Sequence, residues 1–224
     1  MEETRIRLAL RSLCVPGIDR LEFLHGLAKE LGLAAEIQET RIGKRSIRNL
    51  VVGDGPYWVS AHWDVVNPKS ENANDNGAAC IAVLELCSRI KELSGVIFDA
   101  EEIGGWGSLI WSWDNPDVRW VINLELAGEG GASWLVGECD SWIGQEISNL
   151  SNAPRVKVPF NDSVTLRKSG LDACLVQPCP LTKGEPDLGN WSRCHTLKDT
   201  VDALPAQDLD IFIDSFERVV SQLV

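Results

Sequence analysis

Hydrophobic residues recur along the chain with two different periods, which divide it into helices and strands. Apolar side chains at helical spacing predict amphipathic helices at residues 3–14, 18–32 and 206–224. Residues 77–93 are apolar on most sides, which predicts a helix packed against a sheet. Residues 140–151 carry a further helical pattern. Helices are therefore expected at both ends of the chain and between its other apolar segments.

Shorter apolar segments between these helices predict strands. They lie at residues 35–42, 48–55, 57–62, 95–100, 118–126, 132–137 and 172–177. Strands that alternate with helices are typical of α/β proteins, and the strand cluster near the N-terminus indicates antiparallel members at one side of the sheet. We therefore predict a three-layer α/β/α sandwich with a mixed central sheet. A length of 224 residues without a repeat or linker predicts a single domain over residues 1–224.

Charge and hydropathy narrow the range of partners. Because 33 acidic residues outnumber 21 Lys and Arg, the net charge is −12, which argues against nucleic acid or an anionic membrane as a partner. The same charge fits a cationic ligand such as a free amine. No apolar run approaches the roughly 20 residues that a membrane-spanning helix needs, and the charged start MEETRIRLALRSL does not resemble a signal peptide. These features predict a cytoplasmic protein.

The seven cysteines are an odd number, and none of them forms a CxxC or CxxH pattern. Cys80 and Cys87 lie inside the apolar helix, where a cysteine usually packs as a small hydrophobe. Cys174 and Cys179 are close enough to bridge a loop, and the sequence leaves their pairing open. The remaining cysteines are Cys14, Cys139 and Cys194.

Candidate catalytic chemistry lies where two apolar strands end. His62 and Asp64 share one face of a strand, so the imidazole could bind a metal with the carboxylate behind it. A polar strand end that faces solvent would give the same pattern. Glu101 and Glu102 follow the next strand, where adjacent carboxylates are costly unless they are paired or bind metal. A solvated charged turn is the alternative for this pair.

Three further residues complete the candidate set. Asp75 lies just before the apolar helix, where it fits either an N-cap or a carboxylate that bridges two cations. Glu125 lies in an otherwise apolar strand and shares a face with Asn123, although a strand end reaching solvent would also explain it. His195, one of only three histidines, lies in a loop beside an aspartate. Each residue alone is a weak signal, but their order along the chain is specific.

That order resembles the co-catalytic zinc aminopeptidase family, which includes bacterial leucyl aminopeptidases and, more distantly, glutamate carboxypeptidases. The resemblance rests on the polar turn at 72–77 that contains Asp75, the EExGxxGS segment that begins at Glu101, an apolar strand with a terminal carboxylate, and the HTxxDT segment that begins at His195. It covers roughly residues 46–205 and implies a zinc-exopeptidase fold.

The resemblance also implies roles for single residues. Asp75 would bridge two zinc ions, with His62 and Glu125 on one ion and Glu102 and His195 on the other. A cis peptide bond would follow Asp75. Manganese or cobalt would also suit such ligands.

Glu101 would then be the general base for the attacking water, and Asp64 would orient His62. The sequence departs from the family at two places. Glu125 stands where aminopeptidases usually have Asp, as in carboxypeptidase-like members, and Ser163 stands where His is common.

The function implied is a metal-dependent exopeptidase that acts on peptides or amino-acid derivatives, most simply an aminopeptidase. Three alternatives remain: a carboxypeptidase or acyl-amino-acid hydrolase, a glutaminyl-cyclase-like acyltransferase, and an inactive binding module. The cyclases of this fold keep one zinc, so the full five-ligand set argues against them. Retention of Glu101 and both histidines argues against an inactive module. Oligomeric state is not indicated by the sequence.

Overall fold

The central feature of the fold is an eight-stranded mixed sheet. The computed structural model describes residues 3–137, 140–182 and 185–224. The strands are β1 Ala35–Ile42, β2 Arg45–Val52, β3 Tyr57–His62, β4 Leu93–Phe98, β5 Trp120–Leu124, β6 Trp134–Gly137, β7 Arg155–Val156 and β8 Ala173–Pro178. Their order across the sheet is β1-β2-β4-β3-β5-β8-β6-β7, and β9 Leu181–Thr182 pairs with β10 Glu185–Pro186 in a separate antiparallel sheet.

Strand direction divides the sheet into a parallel centre and antiparallel sides. The four central strands β4, β3, β5 and β8 run parallel. On one side β1 and β2 are antiparallel neighbours, as the sequence predicts. On the other side β6 is also antiparallel to β8, which the sequence does not indicate. Because parallel strands end at one edge, the residues after β3, β4 and β5 meet there.

Helices cover both faces of the sheet, which confirms the predicted three-layer sandwich. The helices are α1 Arg5–Leu13, α2 Arg20–Glu30, α3 Ala78–Arg89, α4 Trp106–Asp114, α5 Trp142–Ser151, α6 Asp162–Lys168 and α7 Asp208–Val220. On one face α1, α2, α3, α5 and α7 bury the larger apolar core, while α4 and α6 bury a smaller core on the other. All side chains of residues 78–87 in α3 are buried, because this helix lies between the sheet and other helices.

Two helices, α4 and α6, are absent from the sequence prediction. The α4 segment WGSLIWSWD has few strong helix formers and follows two glycines, so local propensity indicates a turn. Tertiary packing outweighs this propensity, because Trp111 is buried edge-on against Trp58 and Phe98. The α6 segment has only seven residues, which is too short for a clear hydrophobic period.

The structure tests the predictions that the sequence made for the cysteines. Cys174 and Cys179 are both buried, and no disulfide bond joins them, so the loop disulfide does not form. Cys80 and Cys87 are buried in α3, as expected. Cys139 lies outside the described residues.

Among the residues that the structure describes, no helix combines the length and apolar character of a bilayer-spanning segment.

Candidate metal centre

The sheet brings three of the predicted site segments to one edge. His62 is the last residue of β3, Glu125 follows β5 directly, and Glu101 and Glu102 follow β4 by three and four residues. Because β4, β3 and β5 are adjacent parallel strands, these side chains converge at their carboxyl ends. At that edge His62, Glu101 and Glu125 are each at most 9% exposed.

Two loops position the remaining residues, and the Asp199 carboxylate links the two loops through hydrogen bonds. Asp75 lies in the turn Ala73–Gly77, which leads into α3, has non-helical backbone angles at Asp75 and Asn76, and contains the cis Asp75–Asn76 peptide bond. Asp199 accepts hydrogen bonds from the backbone N–H groups of Asn74 and Asp75 at 2.8 and 3.0 Å. Since Asp199 comes only four residues after His195, these bonds hold both loops in one arrangement.

The five predicted ligands form two groups that share Asp75. One carboxylate oxygen, Asp75 Oδ1, lies 3.4 Å from His62 Nε2, and the other, Oδ2, lies 3.1 Å from His195 Nε2. Glu125 Oε2 is 3.5 Å from His62 Nε2, and Glu102 Oε2 is 3.1 Å from His195 Nε2. Within each group the potential ligand atoms lie within 4.8 Å of one another, so each group could hold a metal ion.

Glu101 belongs with His62 and Glu102 to a third group whose potential ligand atoms lie within 4.8 Å of one another, but its carboxylate is more distant from His62 than those of Asp75 and Glu125 are. Its Oε2 is 4.0 Å from His62 Nε2, farther than the Asp75 and Glu125 oxygens. Behind it, the Asp64 carboxylate accepts hydrogen bonds from the backbone N–H groups of Glu101 and Glu102 at 3.1 and 3.2 Å. Asp64 thus orients the two-glutamate turn, a contact that the sequence does not predict.

Asp64 is also the residue closest to the second nitrogen of His62. His62 Nδ1 lies 3.3 Å from the Asp64 carbonyl oxygen and 3.5 Å from its carboxylate. A histidine whose second nitrogen faces such an acceptor is held in one ring orientation. This geometry fits the orienting role that the sequence suggests.

Three polar side chains that sequence reasoning missed as functional orient Glu125. Asn76 Nδ2 donates to Glu125 Oε2 at 2.6 Å, and Asn123 Nδ2 donates to Oε1 at 2.9 Å. Ser60 Oγ in turn donates to Asn123 Oδ1 at 2.9 Å. The available signal was alternation, because Ser60 lies two residues before His62 and Asn123 two before Glu125.

The electrostatics of the centre favour a bound cation. Burial raises the pKa of Glu101 to about 9 and that of Glu102 to about 7, and neighbouring carboxylates add to both shifts. The hydrogen bond to Asp75 raises the pKa of His195 to about 9. Burial lowers the pKa of His62, but Glu125, Asp64 and Asp75 outweigh it and hold that pKa well above its ordinary value. Clustered buried acids of this kind suit divalent cations, and two imidazoles with three carboxylates suit zinc.

Asp162 is a further buried acid to which the sequence gave no role. It is fully buried at the start of α6, and Ser108 Oγ donates a hydrogen bond to its Oδ1 at 2.5 Å. Burial raises its pKa to about 8. Its charge is among those that raise the pKa of Glu101, so Asp162 lies within electrostatic range of the proposed base.

A cavity of about 220 Å³ opens onto the centre. Its polar side is the cluster of candidate ligands. The remaining wall is largely apolar and is formed by Leu126, Val158, Pro159, Phe160, Leu175 and Trp191, together with Asn161, Gln177 and Cys194. A cavity of this size is smaller than the roughly 300–1,000 Å³ of drug-sized ligand sites, so it has room for only a small group.

An α/β sandwich with imidazoles and carboxylates at the carboxyl ends of its central strands has the side chains needed to bind divalent cations at that edge. Comparison with protein-family models makes the assignment specific, since residues 46–220 match peptidase family M28. The match covers most of the chain, and the chain belongs to this family. This result confirms the resemblance to zinc aminopeptidases that the motif order suggests and supports a metal-dependent peptidase.

Solved structures with the same fold include both aminopeptidases and cyclases. The LapA aminopeptidase of Legionella pneumophila aligns with a TM-score of 0.76 and 15% identity, over 97% of this chain and 68% of that one. The glutaminyl cyclase of Porphyromonas gingivalis aligns with a TM-score of 0.74 and 19% identity, over 98% and 97%. At these identities the similarity shows the fold alone.

A third structure, the BSAP zinc aminopeptidase of Bacillus subtilis, aligns with a TM-score of 0.67 and 20% identity. The alignment covers 82% of this chain and 51% of that one, so this chain spans about half the length of that protein. No curated protein matches the sequence significantly.

Proposed function

We propose that this chain is a dinuclear metal exopeptidase that removes the N-terminal residue of peptides. The observation that carries the proposal is the position of Asp75, whose two carboxylate oxygens face two different histidines. Each histidine has a second carboxylate beside it, Glu125 or Glu102. One shared aspartate with two separate histidine–glutamate pairs is the arrangement expected for two neighbouring cations.

In this proposal His62, Asp75 and Glu125 would hold one ion, and Asp75, Glu102 and His195 would hold the other. Divalent cations bound there would supply Lewis-acid polarisation of the scissile carbonyl and a lowered pKa for the attacking water. Glu101 takes the proton from that water as it attacks, and then delivers the proton to the leaving amine. Asp64 keeps Glu101 in place through the backbone of the turn.

The lining of the cavity supports action at an amino end. Among the described residues that line it, none is Lys or Arg, so neither of these side chains is available there to bind a free α-carboxylate. The net charge of −12 acts in the same direction.

Ring closure of an N-terminal glutamine is the competing reaction. Glutaminyl cyclases share this fold over nearly the full length of both chains. Such a reaction also begins from a free amino end, so the reaction product distinguishes the two functions. Hydrolysis releases a free amino acid, whereas cyclisation leaves the peptide intact and releases ammonia.

The test is turnover of matched peptide panels by the zinc-reconstituted protein, with and without a chelator. One panel has free amino ends, and the other has blocked amino ends and free carboxyl ends. We expect release of the first residue from the free-amine panel only, and loss of that activity with chelator. Cleavage of the blocked panel alone would contradict the proposal and indicate a carboxypeptidase or acyl-amino-acid hydrolase. Ammonia release without hydrolysis would establish the cyclase.

A further inference from the structure

The two candidate ion positions differ in how firmly the fold holds their histidines. The inner position is the group His62, Asp75 and Glu125, and the outer position is the group Asp75, Glu102 and His195. His62 ends a strand, is 2% exposed, and has its second ring nitrogen 3.3 Å from the Asp64 carbonyl oxygen. His195 lies in a loop with its side chain 49% exposed, and its polar contacts with described residues are all made by Nε2. A metal-binding histidine is normally oriented through its second nitrogen, so the orientation of His195 depends on the backbone that carries it.

The backbone at His195 is itself in an unfavourable conformation. Its φ angle is +63°, in the left-handed region that residues other than glycine seldom adopt. Such a conformation persists only where the surrounding structure holds it. On the C-terminal side the chain is held, because Ser70 Oγ donates a hydrogen bond to the Thr196 carbonyl oxygen at 2.7 Å and Asp199 accepts hydrogen bonds from the turn that carries Asp75. The N-terminal side needs an anchor of its own.

One ion pair supplies the anchor on the N-terminal side. Arg193 is the last residue of the 3₁₀ turn Leu188–Arg193, and its guanidinium pairs with the Glu129 carboxylate. Among the residues that the structure describes, no other hydrogen bond or ion pair joins this turn to a residue outside 180–196. The two side chains are only 26% and 19% exposed, so salt screens this pair less than a fully exposed one.

Glu129 is a fixed partner, because hydrogen bonds hold the backbone on both sides of it. The N–H of Gly128 donates to Asn74 Oδ1 at 2.9 Å. The N–H of Gly130 donates to Asp208 Oδ2 at 2.9 Å. Asn74 lies in the turn that carries the shared aspartate. The ion pair therefore connects the segment before the second histidine to the turn on which both ion positions depend.

We propose that the Glu129–Arg193 ion pair sets the affinity of the outer position for its ion and leaves the affinity of the inner position unchanged. Both are positioning residues, because they act through the backbone that presents His195. The histidine of the inner position is held by strand β3 and by Asp64 instead. Loss of the pair should therefore release one ion selectively. The inference rests on the proposed function only in that both positions bind a divalent cation.

The test is a zinc competition titration of the metal-free protein that resolves the two binding events. Glu129→Gln and Arg193→Gln each remove one charge of the pair. We expect either change to weaken one ion by about tenfold or more and the other by less than about twofold. His195→Ala should weaken the same ion, and adding Glu129→Gln to it should leave the remaining ion's affinity unchanged. Reversal of the pair, Glu129→Arg with Arg193→Glu, should restore part of the lost affinity.

Glu217→Gln is the matched control. Glu217 pairs with Arg89 at 3.1 Å, and these side chains are 34% and 27% exposed, close to the values of the proposed pair. It lies on α7 and does not line the cavity, so its substitution should leave both affinities unchanged. The melting temperature of each metal-free variant shows whether it folds. Because Glu129→Gln keeps the size of the side chain, it keeps the test valid if Arg193→Gln does not fold.

Three results would overturn the inference: equal weakening of both ions, unchanged affinities in both variants of the pair, or the same selective loss in Glu217→Gln. Selective loss in a protein without peptidase turnover would refute the proposed exopeptidase and leave the inference standing. If the wild type binds a single ion, the dinuclear centre is refuted. The inference then stands only if His195→Ala and Glu129→Gln both weaken that ion.

Discussion

Replacement of Glu101 by Gln separates the proposed base from the ligands around it. Gln keeps the size of Glu but cannot take a proton from water. General-base catalysis contributes roughly 10²–10⁴-fold, so we expect Glu101→Gln to lower kcat by that factor, which is about 3–5 kcal/mol of transition-state stabilisation. Metal content should stay near wild type, because Glu101 lies farther from His62 than the Asp75 and Glu125 oxygens do.

The same substitution should stabilise the metal-free protein. Burial raises the pKa of Glu101 from 4.5 to about 9. A raised folded-state pKa means that stability present below pH 4.5 is lost as pH rises toward 9. Gln does not titrate and therefore avoids this loss. Metal-free Glu101→Gln should therefore unfold at a higher temperature than wild type at pH 8, with little difference at pH 4.5.

Glu102→Gln is the matched control, because it makes the same change one residue away. Its oxygen lies 3.1 Å from His195 Nε2, in a candidate ligand group. We expect this variant to lose bound metal, as measured by atomic emission after dialysis, and to regain part of its activity when zinc is added. Glu101→Gln should not be rescued by zinc. Retained turnover in Glu101→Gln, or equal metal loss in both variants, would refute the assignment of base and ligand.

Two further predictions concern support and loading of the centre. Asp199→Asn replaces a carboxylate that accepts hydrogen bonds from the backbone N–H groups of Asn74 and Asp75. Metal affinity should therefore fall about 10–100-fold. Unchanged affinity in a competition titration would contradict the coupling of the two loops. Removal of metal should lower the melting temperature more at pH 8 than at pH 5. The raised pKa values of Glu102 and His195, about 7 and 9, mean that metal-free stability is lost as pH rises through these values. Scanning calorimetry of the apo and zinc-loaded protein across this range measures the effect. An equal difference in melting temperature between the two forms at both pH values would refute the reasoning.

Sequence alone determined the elements with strong hydrophobic periods and the identities of the candidate ligands. The helix at 77–93 and the strands before His62, Glu101 and Glu125 were predicted because their apolar runs are long enough to specify burial. The candidate ligands were predicted because costly polar groups follow those runs in a family-specific order. Local sequence could not predict α4, where the packing of Trp111 against Trp58 outweighs weak helix propensity.

Only the tertiary structure determined how these residues act together. Strand order is a long-range property, and the adjacency of β4, β3 and β5 brings Glu101, His62 and Glu125 to one edge. The fold likewise brings Asp199 within hydrogen-bond distance of the backbone of Asn74 and Asp75, which lie more than 120 residues away in the sequence. It also places Gln177 in the cavity wall. Such contacts depend on the spatial approach of distant segments, which no local pattern of hydrophobic and polar residues encodes.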